Sequence, residues 1–183
     1  MQIENHFEIP VPPPLAWAIL MNIPESAACF PGAGMIEAIS ADQYKGRVTV
    51  KLGPLTMVFA GNLHIKDRDD TAHCAAIHAN WSEAKGRGNA VTVTRFVLQE
   101  HAGGTLVTLQ SDMQLAGQVA QYGRGVGMIS AISAQLISTF ADNLLGKIHA
   151  ASAGNVMAPG NQDAPEISGF TLIAKALGNR LKN

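Results

Sequence analysis

The 183-residue chain is 47% hydrophobic and 15% charged, with net charge -1 and a pI near 6.6, a balance that excludes a disordered chain and a basic nucleic-acid binder. Its two cysteines, Cys29 and Cys74, form no C-x-x-C spacing, which argues against a disulfide framework or a zinc site and for a reducing compartment. No run of about 20 apolar residues exists, and MQIENHFEIP carries neither a basic n-region nor an apolar h-region, so the expected location is cytoplasmic.

Residues 2–9 read as a strand. In VPPPLAWAILMN the prolines suit a first helical turn, where a missing N–H is no loss, and Leu15 and Ile19, with Trp17 and Leu20 or Met21, make an apolar stripe. A short second helix, IPESAACF, ends at Pro31-Gly32. From Met35 to Leu115 the period becomes two. Turn signals at Ala41-Asp42, Gly53-Pro54, Asp67 to Asp70, Gly86 to Gly88 and Gly103-Gly104 divide this region into six strands. Tyr44, Gly46, Val48, Val50 and Leu52 alternate with Lys45, Arg47, Thr49 and Lys51, and Leu55, Met57, Phe59, Leu63 and Ile65 oppose Thr56, Asn62, His64 and Lys66. The sheet therefore has one dry and one wet face.

A long helix from Val119 to Ile148 is the expected cover for the dry face. Val119, Tyr122, Val126, Ile129, Ile132, Leu136, Phe140 and Leu144 recur along it at intervals of three and four. The order strand, two helices, six strands, long helix predicts an α+β fold in which a curved antiparallel sheet wraps the C-terminal helix. Such an arrangement either encloses a ligand cavity or is filled by bulky side chains, and the pattern alone leaves both open. Gly123, Gly125 and Gly127 precede the strongest part of this helix, although a glycine inside a helix costs about 1 kcal/mol relative to alanine. Met128 stands where the third glycine of G-x-G-x-x-G would fall and no G-K-[ST] follows, which excludes a phosphate cradle. Two readings stay open: a loose helix start, or a thinned wall at a cavity mouth.

IPESAACFPG, VTVKLGPLTMVFAGNL and LAGQVAQYGRGVGMISAISAQLISTFADNLL resemble the CoxG family of carbon monoxide dehydrogenase subunits. The resemblance covers residues 1–148 and is most specific at Pro31-Gly32, at the K-x-G-P turn of Lys51 to Pro54, and at the A-Q-[FY]-G-R-G segment from Ala120 to Gly125. Many members carry a cysteine directly after the Pro-Gly pair; Ala33 stands there in this chain, which removes any thiol role at that position. The resemblance implies the helix-grip fold of the Bet v 1, START and SRPBCC proteins, with an apolar cavity. It also implies work beside a molybdenum hydroxylase of the carbon monoxide dehydrogenase type, at the membrane where electrons enter the quinone pool. It does not name the ligand.

Catalytic constellations are thin. His6, His64, His73, His78, His101 and His149 show no H-E-x-x-H or facial-triad spacing and read as surface or edge residues; no Gly-x-Ser-x-Gly elbow is present. Cys29 reads as core, the Asp67 to Asp70 segment as a solvated turn, and Arg124 as a rim residue. Arg95, in phase with Val91, Val93 and Val97 on a strand that is apolar on both parities, reads as exposed. No catalytic residue, metal ligand or required cofactor is expected.

The expected lining of the cavity is Phe59, Trp81, Phe96, Met113, Leu115, Tyr122, Gly125, Met128, Ile132, Gln135 and Leu136. Tyr122 and Gln135 are its evident hydrogen-bonding groups, too few for acid-base work. The leading expectation is a noncatalytic accessory protein that holds a hydrophobic small molecule, such as a quinone or lipid, and links a hydroxylase to the inner face of the cytoplasmic membrane. The alternatives are an aromatase/cyclase-like enzyme acting on a polyketide or similar apolar substrate, and an adaptor without a ligand.

With the helix-grip domain placed at residues 1–149, residues 150–165, AASAGNVMAPGNQDAP from Ala150, read as a flexible linker. The tail after it, residues 166–183, is amphipathic: Ile167, Phe170, Ile173 or Ala174, Leu177 and Leu181 share one helical face, away from Ser168, Lys175, Asn179 and Lys182. Lys175, Arg180 and Lys182 against Glu166 give the tail +2, which leaves -3 for residues 1–165. Such a segment is too short to span a bilayer but suits an anionic membrane surface. A partner groove, or its own domain, is the other berth for it.

Overall fold

A computed structural model of the chain describes residues 1–34, 37–52, 55–123 and 126–154. The alternation in QIENHFEI gives β1 (Gln2–Ile9), with Ile3, Asn5, Phe7 and Ile9 buried and the intervening residues exposed. Prolines at its first positions open α1 (Pro13–Met21), and α2 (Ile23–Ala27) follows. The period-two region forms β2 (Glu37–Ala38), β3 (Gln43–Leu52), β4 (Leu55–Asp69), β5 (Cys74–Glu83), β6 (Gly88–His101) and β7 (Gly104–Gly117). Two helices close the described chain, α3 (Val119–Gly123) and α4 (Val126–Gly154). All strand pairs are antiparallel in the order β1-β7-β6-β5-β4-β3-β2. The fold is α+β, as expected.

The register fixes which residues share the concave face. Phe7 opposes Val107, Val107 opposes Leu98, Phe96 opposes Ala75, and Ile77 opposes Ile65, one row after another. The main core gathers at one end of the sheet, where α1, α2 and the C-terminal half of α4 meet. Trp17 lies against Phe96 with ring centroids 5.7 Å apart, and its Nε1 donates to Asp70 Oδ1 at 2.8 Å. Phe140 meets Phe7 edge-on at 5.5 Å and Phe30 at 6.2 Å. Asn143 Nδ2 donates to the Cys29 carbonyl at 2.8 Å, and Lys147 pairs with Glu25 at 2.9 Å, so α4 is tied to α2 by polar as well as apolar contacts. Cys29 is buried, and burial pushes its thiol pKa up, which fits core packing rather than nucleophilic chemistry.

A smaller core lies at the opposite end. Met57, Phe59 and Val119 are buried there, with Val48, Val50, Leu55, Trp81 and Leu115 packed on them. The Pro31-Gly32 pair works as a close-approach device between these regions: Gly32 has φ +78°, a Cβ on it would collide with the Thr49 carbonyl, and its own carbonyl accepts from Thr49 N–H at 2.8 Å. Only glycine fits that position without strain.

Three boundaries differ from the sequence reading. The expected helix from Val119 to Ile148 is described as α3 and α4, with Arg124 and Gly125 outside the described residues. Helix α4 runs on to Gly154, into the segment read as linker from Ala150, because Ala and Ser continue a helix without needing burial. Strand β4 continues to Asp69 through a register shift between Lys66 and Asp69, with Asp67 at φ 50°, where a turn was expected from Asp67; Asp tolerates this left-handed conformation. The Gly53-Pro54 turn and the 166–183 tail lie outside the described residues.

Candidate functional site

Between the two core clusters, the concave floor sets small side chains among Leu63, Ile77 and Met113. In register the small ones are Gly46 and Gly61 on β3 and β4, Ala79 on β5, Ala90, Thr92 and Thr94 on β6, and Ser111 on β7. Gly61 is small for a reason: a Cβ there would stand 2.7 Å from Trp81 Cε3, so its absence lets the indole lie across β4. Leu63, Ile77, Thr92, Thr94, Ser111 and Met113 are only half-buried, and so are Ile129, Ile132, Ser133, Leu136 and Ile137 on α4. Well-packed interiors do not leave such side chains half-covered.

Polar groups sit among them. Thr94 Oγ1 and Ser111 Oγ share a hydrogen bond of 2.9 Å, and Asn5 Nδ2 donates to Ser133 Oγ at 2.8 Å, joining β1 to α4. Two titratable side chains of the concave face are already engaged. Tyr44 donates to the Ala41 carbonyl at 2.8 Å. Glu83, with its side chain 1% exposed, receives Arg87 Nη2 at 2.6 Å and the backbone N–H groups of Lys85 and Arg87; these bonds, led by the guanidinium, hold its carboxyl down at about 2. Arg87 Nη2 also donates to the Thr56 carbonyl and the Arg87 carbonyl accepts from Val119 N–H, so the cluster staples the β5–β6 turn to β4 and α3.

The expected lining residues do not all meet. Phe59, Trp81 and Leu115 belong to the smaller cluster, whereas Phe96 is buried at the far end beneath Trp17. Met113, Ile132 and Leu136 are half-buried on the facing surfaces of sheet and helix. Met128 and Gln135 are corrections: Met128 is 45% exposed, and Gln135 points to solvent, where its Nε2 donates to Thr139 Oγ1 at 3.3 Å. Both lie off the stripe that packs on the sheet, so the helical phase alone places them outward. The Tyr122 side chain and Gly125 fall outside what is described.

The polar inward groups Asn5, Thr92, Thr94, Ser111 and Ser133 were missed. Their signal was present in part, since Thr92 and Thr94 share the parity of Phe96 and Leu98. Valines on the other parity of β6 obscured which side faces in. Arg95 is exposed beside Val91, which is 39% exposed on the convex face.

A second concavity lies outside the sheet. β1 is the terminal strand, and a groove of about 360 Å³ runs between it and α4, lined by Glu4, Asn5, His6 and Phe7 on one side and Ala134, Ile137, Ser138, Ala141 and Asp142 on the other. Among the described residues no group of three or more His, Cys, Asp or Glu side chains is placed to hold a metal ion, and no helix is long and apolar enough to cross a membrane.

The sequence profile of CoxG, a component of carbon monoxide dehydrogenase, matches residues 6–149. No curated protein matches the chain. Among solved structures, a conserved protein from Geobacillus kaustophilus is similar with TM-score 0.72 at 18% identity, over 82% of this chain and 97% of that one. The Zhui aromatase/cyclase from Streptomyces sp. R1128 has TM-score 0.59 at 16% identity, over 88% of this chain and 99% of its own. A START superfamily protein from Mycobacterium smegmatis has TM-score 0.58 at 12% identity, over 81% and 97%. At these identities the structures establish the START-like fold and nothing finer.

Proposed function

Because the chain belongs to the CoxG family of carbon monoxide dehydrogenase subunits, we propose that it is a noncatalytic accessory protein of a molybdenum hydroxylase, holding a quinone or lipid between sheet and α4 and linking the enzyme to the membrane. The observation that carries the ligand is the floor set with small residues between two separate core clusters, opposite half-buried apolar side chains of α4. A solid core would bury Leu63, Ile77 and Met113 on that floor fully, and they stay half-buried. The Thr94–Ser111 and Asn5–Ser133 pairs supply hydroxyl and amide groups suited to a ligand carbonyl, with apolar surface on either side.

The hydroxylase partner rests on family membership. Membrane contact rests on the composition of residues 166–183. The aromatase/cyclase among the structural neighbours keeps an enzymatic reading in view. The engagement of Tyr44 and Glu83 weighs against it, since neither is poised to move a proton.

Titration with decylubiquinone, followed by quenching of tryptophan fluorescence, tests the ligand. Saturable binding is expected for the wild type and at least tenfold weaker binding for Thr94→Leu, with little change in thermal midpoint. Absence of saturable binding of the quinone, and of a single-chain fatty acid tried beside it, by the wild type overturns the reading.

A further inference from the structure

The groove between β1 and α4 has a definite construction. Its helix side is Ala134, Ile137, Ser138, Ala141 and Asp142, positions i, i+3, i+4, i+7 and i+8 of one helical face, and its strand side is the outer edge of β1, which pairs with no further strand among the described residues. Phe7 and Ala141 are buried at its floor, Ile137 is half-buried, Asp142 stands exposed on the helix rim, and Glu4 on the strand side is turned to the outer face of the sheet, where it accepts from Gln110 Nε2 at 3.2 Å. An apolar floor beside an exposed carboxylate fits a basic amphipathic segment. We propose that residues 166–183 of the same chain dock in this groove, Leu177 and Leu181 toward its floor and the cations Lys175, Arg180 and Lys182 along the rim that carries Asp142.

Reach supports the assignment. The groove residues of α4 lie 12 to 20 positions before the helix end at Gly154, which at 1.5 Å per residue is roughly 18–30 Å. Residues 155–165, with one glycine and two prolines, reach about 36 Å at full extension. The linker is therefore long enough for the tail to double back to the groove, which makes docking an intramolecular event. Charge supports it as well: the tail carries +2 and residues 1–165 carry -3. The volume, about 360 Å³, seats a few apolar side chains and no more, so docking is weak enough to be exchanged for another surface.

This inference rests on the membrane reading above and adds regulation to it. The tail held in the groove is unavailable to an anionic bilayer, and occupation of the groove by anything else releases it. The two berths compete for one set of residues.

Hydrogen exchange of the full chain tests this without disturbing the domain. In Leu177→Asp/Leu181→Asp, altered only in the tail, exchange in peptides covering 4–7 and 134–142 is expected to rise at least threefold over the wild type; equal exchange overturns the proposal. Ser138→Trp, at an exposed position, fills the groove. It is expected to bind vesicles of phosphatidylcholine with 30% phosphatidylglycerol at least fivefold more tightly than the wild type. If neither protein binds these vesicles while the exchange difference persists, the membrane reading falls and the docking stands. An exchange difference that grows with protein concentration places the tail in a neighbouring copy and overturns the assignment.

Discussion

At the residue scale, the Glu83–Arg87 pair shows how a turn is held by charge in a nearly dry place. The Glu83 carboxylate accepts from three donors within one turn, two backbone N–H groups and a guanidinium, and bonds of this sort favour the ionised form. Since its pKa falls from the ordinary 4.5 to about 2, the stabilisation is complete above about pH 4.5 and disappears as the pH drops through 2. Glu83→Gln is therefore expected to lower the thermal midpoint near pH 7, and the gap to the wild type should close between pH 4.5 and 2. Circular-dichroism melts across that range check both the drop and its disappearance. Ionic strength should matter little, because a carboxylate 1% exposed is poorly screened.

At the scale of elements, two contacts decide how the helices and the connection to β3 are seated. Gly32 approaches Thr49 so closely, and at φ +78°, that Gly32→Ala must displace either the connection or β3. A loss of about 2 kcal/mol or more is expected from combined strain and collision, read as a lower urea midpoint with unchanged slope. Phe140 joins α4 to β1 through Phe7 and to the α2 end through Phe30. Phe140→Ala should cost about 3 kcal/mol, again in urea unfolding. Fluorescence of Trp17, which packs on Phe96 some way from this site, should keep its native emission maximum. The Pro-Gly pair noticed in the sequence thus has a steric cause, and Ala33 beside it makes an isolated antiparallel bridge to Val48.

At the scale of the whole molecule, the domain and its tail are expected to be separable. Every buried residue of the two clusters lies before residue 149, so removal of 166–183 should leave the melting curve of the domain nearly unchanged, and quinone titration as well. Binding to anionic vesicles should fall to background in the truncated protein at about 0.1 M salt, since the cationic and apolar surface that would meet the lipid goes with the tail. Vesicle binding that survives truncation would place membrane contact on the domain. Co-sedimentation with phosphatidylglycerol vesicles distinguishes the two.

The sequence by itself determined the elements and their faces. Period-two alternation from Met35 to Leu115 set out six strands with Tyr44, Phe59 and Ile65 inward, and three-four spacing set out a covering helix with Leu144 inward, because alternation and helical repeat are properties of the backbone that local residues report directly. The motifs also carried the family. What the sequence could not decide was where along the sheet each inward residue would lie. Phe59 and Phe96 share a face yet sit in different clusters, a matter of hairpin register accumulated across β4, β5 and β6. Gln135 and Met128 are a different case, since proximity to the stripe suggested an inward position while the helical phase already placed them outward. The hydroxyls of Thr92, Thr94 and Ser111 came together only when the β6–β7 hairpin aligned them, and the groove beside β1 exists because the first strand ended up last in the sheet, next to the final helix. Long-range pairing created both sites, and no local pattern records long-range pairing.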